Sequence, residues 1–140
     1  MGKWRKKRTG DTFETEVRYQ FGPVAERFGL SELPDPTRGG LEFAGGGVGY
    51  WWLQDWRELH IAVIVHLERD GERYSVHLDD VVVNGGFGVA QDLPSGGSTW
   101  LATQKSIAAH VGWIERLHSR LTAADAPAFV VDAGGRRRRG

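Results

Sequence analysis

Apolar residues recur at helical spacing near the start of the chain, at Phe13, Val17, Phe21, Val24 and Phe28. The same stretch also alternates: Phe13, Thr15, Val17, Tyr19 and Phe21 stand against Glu14, Glu16, Arg18 and Gln20, as in a strand. Glu, Arg and Gln favour a helix, and the stripe passes Gly22-Pro23 only at helical spacing. The pattern predicts a helix over residues 12–29, broken at Pro23 or split into two, and ending at Gly29. Pro34, Pro36, Gly39 and Gly40 then mark a loop. Leu41-Glu42-Phe43 and Val48 to Trp52 read as short strands around Gly45-Gly46-Gly47. Leu59 to Leu67 alternates strongly, with Ile61, Val63, Val65 and Leu67 on one face. Asp70-Gly71 is a hairpin turn, and Arg73 to Leu78 is the return strand. A two-residue turn pairs Arg69 with Glu72, Leu67 with Tyr74, Val65 with Val76 and Val63 with Leu78. A slip of one residue would bury polar side chains, so the register is firmly specified.

After Val81-Val82-Val83, Asn84-Gly85-Gly86 is a turn, and a Gly/Pro/Ser loop follows. Ser98 or Thr99 caps a helix running to about Leu121, whose apolar side carries Leu101, Ile107, Ala108, Val111, Ile114 and Leu117. Phe129, Val130 and Val131 are expected to dock as a last short strand or to lie over the core. The elements add up to an α+β fold. A small antiparallel sheet of three to five strands packs against an N-terminal helix and a long C-terminal helix. Residues 11–133 form the single domain, between a disordered basic arm at 1–10 and a basic tail at 134–140 lying beyond the fold.

Charge changes this picture because it is sorted. The formal net charge is +0, from 18 Lys and Arg against 18 Asp and Glu. Lys3, Arg5, Lys6, Lys7 and Arg8 crowd one end, and Arg136, Arg137, Arg138 and Arg139 the other. Residues 9–135 keep 9 basic and 18 acidic residues, a net of −9. Such a body attracts basic partners, while the arms would contact phosphates. There is no cysteine, which excludes disulfides, thiol catalysis and zinc ribbons and fits a reducing, cytoplasmic setting. No apolar run reaches the ~18–20 residues of a membrane span.

The candidate chemistry is sparse. His66, His77 and Asp79 fall on the second face of the hairpin, opposite Ser75, Ile64 and Ala62. Two imidazoles and a carboxylate suit a metal or acid–base work. The plainer reading is the solvated side of a sheet. No ligand-spacing motif accompanies them, and no cofactor is expected. Gly85-Gly86-Phe87-Gly88 and the glycines at 45–49 lack the Lys-Ser/Thr of a phosphate loop, and Ser95, Ser98 and Ser106 lack a nucleophile elbow. Tyr50, Trp51, Trp52 and Trp56 are four aromatics in seven residues. Alternation sends Trp51 one way and Tyr50 and Trp52 the other, as core or as anchors for a partner. Glu42, Asp55, Glu58, Glu68, Asp70, Glu72, Asp79 and Asp80 make an acidic set that either solubilises the surface or steers a basic protein.

The stretch from Phe21 to Asp80 runs through Phe28-Gly29, a Pro/Gly loop and Leu41-Glu42-Phe43. It continues through the Asp55-Trp56-Arg57-Glu58-Leu59 corner, a long strand, a turn, and Tyr74-Ser75-Val76 with Leu78. It resembles small α+β immunity-type proteins of bacterial toxin–immunity systems, over less than half the chain. The glycines at 45–49 and the basic ends depart from that pattern. The resemblance implies a non-catalytic binder of a cognate protein. The leading expectation is therefore a non-enzymatic module that neutralises or assists a basic partner. Tyr50, Trp51, Trp52 and Trp56 would anchor it, and Asp55, Glu58, Asp79 and Asp80 would pair with its cations. The alternatives are a nucleic-acid accessory using the basic ends, and a small metal enzyme built on His66, His77 and Asp79.

Overall fold

In the computed structural model, residues 4–34, 39–55 and 57–139 are described, and among them six strands and four helices are seen. The order is α1 (Phe13–Arg27), β1 (Ser31–Glu32), β2 (Leu41–Gly45), β3 (Val48–Gln54), β4 (Ile61–Arg69) and β5 (Glu72–His77). Then come α2 (Leu78–Asn84), a 3-10 turn at Ala90–Asp92, α3 (Trp100–Leu121), α4 (Ala126–Asp132) and β6 (Arg136–Arg139). The strands form one sheet in sequence order, β1 to β6, each antiparallel to the next. The fold is α+β, as expected, but with one strand more than the upper limit of the expectation. The two edges, β1 and β6, carry no apolar alternation to announce them.

Helix α1 starts where Thr12 and Thr15 cap each other: the Thr15 N–H donates to Thr12 Oγ1 (3.2 Å) and the Thr12 N–H to Thr15 Oγ1 (2.8 Å). It is not broken at Pro23. That residue lies on the exposed side, so the Tyr19 carbonyl it deprives of a donor faces solvent rather than the core. The β4–β5 hairpin turns at Asp70-Gly71 with both φ angles positive (54° and 79°), and pairs Arg69 with Glu72, Leu67 with Tyr74 and Val65 with Val76. The expected Val63–Leu78 and Asp79–Ala62 pairs do not form, because the chain enters α2 at Leu78. Asp79 and Asp80 then occupy the first helical turn, where the positive end of the helix dipole favours them. The Thr99 side chain caps α3 through the Ala102 N–H (3.0 Å). Leu101, expected inside, is exposed.

One hydrophobic core draws on all four helices and on a single face of the sheet. Leu41, Phe43, Tyr50, Trp52, Ile61, Val63, Val65, Leu67 and Val76 point into it from the strands. Phe21 of α1 lies edge-on to Phe43 (5.2 Å between ring centres) and Tyr50 (5.9 Å), and Trp52 lies 5.9 Å from His110 of α3. Val130 enters the same core from α4, so the Phe129-Val130-Val131 run is helical rather than a strand; Pro127 in its first turn suits that start.

Neither end lies where it was expected. Within the basic arm, Arg5 Nη2 is 2.7 Å from the carboxylate of Glu16, which is 1% exposed, and Trp4 lines a hollow together with Tyr19, Gln20 and Ala108. The arm is thus built onto α1. At the other end, Arg136–Arg139 is a strand of the sheet, not a tail beyond it.

Candidate functional site

The second face of the sheet is left out of the core. Antiparallel pairing sets Gly49 between Ala44 and His66, Trp51 between Glu42 and Ile64, and Leu53 beside Ala62. Farther along the face, His66 pairs with Ser75, Glu68 with Arg73, and Arg73 with Arg138. Trp51, Leu53, Ala62, Ile64 and His66 are half-buried, and Glu68, Arg73 and Arg138 are exposed.

Gly49 gives this face its relief. A Cβ at that position would come 3.2 Å from both Ala44 Cβ and Glu42 Oε2, so any side chain would fill the space above Ala44. A hollow of about 300 Å³ results, lined in part by Glu42, Ala44, Gly49, His66, Glu68 and Arg73. A second hollow of about 230 Å³ adjoins it between Trp51, Ile64, Ser75 and Arg138, and shares His66 and Arg73 with the first. Together they form a trough with Glu42 and Glu68 towards one end, Arg138 towards the other, and His66 and Arg73 where the two hollows meet. Between them the Trp51 ring stands 6.1 Å from the His66 ring, and its Nε1–H donates to the Gly39 carbonyl (2.8 Å), which fixes the indole on the face. Arg73 is held by Glu68 at 3.0 Å. An aromatic and aliphatic centre with a charged rim is the make-up of a docking surface.

The structure divides the residues singled out from sequence. Trp51 is on this face. Tyr50 and Trp52 are fully buried on the other, so neither can anchor a partner. The Tyr50 hydroxyl lies 2.8 Å from His118 Nδ1, and burial pushes its pKa up. His118 in turn stacks on Phe28 at 3.9 Å, and burial pushes its pKa down. Asp55 is exposed but committed to its own loop, where Oδ1 accepts from the N–H groups of Arg57 (2.7 Å) and Glu58 (3.3 Å). Leu59 follows in the left-handed region (φ 58°), and β4 starts at Ile61 rather than at Leu59. Glu58 lies 3.3 Å from His60 Nδ1. Trp56 and Lys3 fall outside the described residues.

The acidic set does not form one surface. Glu42 and Glu68 stand on the open face, Asp70 lies in the hairpin turn, Glu72 shares the helix-covered side with Tyr74, and Asp79 and Asp80 lie on α2. The Tyr74 hydroxyl donates to Glu72 (2.9 Å), and that bond raises its pKa. The His66, His77 and Asp79 triad is broken: His77 ends β5 and Asp79 has turned into α2. Among the described residues no group of three or more His, Asp or Glu is placed to hold a metal ion. Of the basic arm, Lys6, Lys7 and Arg8 remain exposed.

Sequence reasoning missed the trough. Alternation within β3 and β4 separately puts Gly49 and Trp51 on one face, and Ile64 and His66 on one face. Nothing local sets β3 against β4, because their connecting loop has no two-residue turn signal. No family model, curated protein or solved structure matches the chain.

Proposed function

We propose that this chain is a non-enzymatic protein-binding module that receives its partner on the open face of the sheet, with Trp51 as the anchor. The observation that supports this most is that, among the described residues, all four helices pack on one face of the sheet and none covers the other, with its trough. Trp is among the residues enriched where binding energy concentrates at the centre of an interface. Glu42 and Glu68 beside the Gly49 hollow suit a Lys or Arg side chain of a basic partner. A neutralising or accessory role towards such a protein agrees with the immunity-type resemblance of residues 21–80. Among the described residues no helix is long and apolar enough to cross a membrane.

The test is capture from native lysate, with and without nuclease treatment, on the full-length protein, on Trp51→Ala and on Glu42→Lys/Glu68→Lys. A basic protein held by the wild type and released by both variants supports the reading. The same proteins held equally by all three would sink it. Capture that disappears with nuclease would favour phosphate contact through Lys6, Lys7, Arg8 and the β6 arginines.

A further inference from the structure

Strand β6 is a sheet edge made of four arginines. Arg136 lies opposite Ser75 and Arg138 opposite Arg73, so both fall on the open face, while Arg137 lies opposite Tyr74 on the helix-covered side. An edge strand turns the N–H and C=O of every second residue outward, and a partner strand can pair with them.

Opposite charges already run from strand to strand here. Glu68 of β4 lies opposite Arg73 of β5 and is paired with it at 3.0 Å; Glu72 of β5 lies 3.7 Å from Arg137 of β6. The row Glu68, Arg73, Arg138 then breaks the rule, because two like charges stand directly opposite, which destabilises a sheet pair. Among the described residues, neither Arg136 nor Arg138 is ion-paired, whereas Arg73 has Glu68. A carboxylate on the outer side of β6 would complete the row.

We propose that β6 is an acceptor edge for an extended acidic segment of a partner protein, which adds as a seventh strand and sets Asp or Glu beside Arg136 and Arg138. A second copy of this chain does not fit the edge. Its β6 would bring arginine against arginine. Its β1 is two residues long, and Glu32 there is engaged by Arg18 at 2.9 Å. The inference shares Arg138 with the trough of the open face but differs from that reading in using the backbone of the edge rather than Trp51.

The probe is a short dye-labelled peptide in which glutamate alternates with threonine, titrated onto the full chain. Controls are the same peptide with a central proline, the same peptide with lysine for glutamate, and a single-stranded oligonucleotide of equal charge. The expected result is binding of the glutamate peptide alone, with new hydrogen-exchange protection of the β6 amides. Arg136→Glu/Arg138→Glu should weaken it about ten-fold or more, and the milder Arg136→Gln/Arg138→Gln should weaken it less. The peptide comparison needs only the wild-type protein, so a poorly folded variant does not blunt it. Equal binding of the proline peptide or the oligonucleotide would overturn the proposal in favour of general polyanion contact. No binding of any probe would overturn it too, leaving the arginines as a guard against edge-to-edge aggregation. Retained peptide binding in Trp51→Ala separates this edge from the open face.

Discussion

Glu16 is buried, and two neighbours make that tolerable: Arg5 Nη2 at 2.7 Å from Oε1 and Gln20 Nε2 at 2.8 Å from Oε2. The Arg5 guanidinium also lies over the Tyr19 ring at 4.1 Å. Removing one partner of such a pair leaves an uncompensated carboxylate. Arg5→Ala should therefore cost about 2–3 kcal/mol, below the full range for a buried pair because Arg5 is partly exposed. Glu16→Gln keeps one acceptor oxygen but sets its NH2 against the donor of Arg5 or of Gln20; because it buries no uncompensated charge, it should still cost less. Urea unfolding of the two variants checks both, and a negligible loss in Arg5→Ala would mean the arm is not integral. Two histidines give a pH signature. Burial pushes His110 below the ordinary imidazole value, against its contact with the Ser106 carbonyl (2.7 Å) and the charge of Asp79; burial does the same to His118. A lowered folded-state pKa means the unfolded chain binds the proton first. Stability is then full above the unfolded value of about 6.5 and declines as pH falls from there towards the folded values. Denaturation midpoints measured from about pH 7.5 to about pH 5 should fall on the acid side, and His110→Gln should flatten the decline.

Elements with a local signal were legible in sequence, and those without one were not. The Thr99 cap of α3 and the Asp70-Gly71 hairpin each declare themselves within a few residues, whereas α1 shows a helical and an alternating pattern at once and is resolved as a helix by the residues after Pro23. Thr99→Ala should cost about 1 kcal/mol, read from the urea midpoint, because the Ala102 amide loses its acceptor. The misreadings have physical causes. Leu78 and Asp79 continue the β5 alternation in phase, so periodicity cannot see the turn into α2. Phe129-Val130-Val131 lies over the core, one of its two expected placements, but does so as a helix that its strand-like composition does not announce. Four consecutive arginines carry no alternation at all, and backbone pairing with β5 alone makes them a strand.

At the scale of the whole molecule, function turns on which face of the sheet is covered. Trp51 and Trp52 are neighbours in sequence and opposites in structure. Trp52→Ala empties the core beside Phe21 and His110 and should cost about 3–5 kcal/mol. Trp51→Ala should change stability little and remove partner binding. Thermal unfolding and a binding assay on both variants decide this: a destabilised Trp51→Ala, or one that still binds, would remove the open-face reading. Charge is distributed differently from the expected acidic globule with free basic arms. Arg5 is joined to Glu16 and β6 is joined to β5 beside Glu72, so the basic ends are part of the surface.

The sequence by itself determined the α+β class, the long helix α3, the register of the central hairpin from Arg69–Glu72 to Val65–Val76 and the opposed directions of Trp51 and Trp52. All of these rest on period and on turn chemistry, which act over a few residues. Only the tertiary structure decided which wall of the sheet the helices cover and that Gly49 meets Ala44 and His66 across two strand pairings. It also decided that Asp79 leaves the sheet and that the arginine run completes it. Those outcomes depend on contacts between residues far apart in the chain, where side-chain burial and backbone pairing, not local preference, set the free energy.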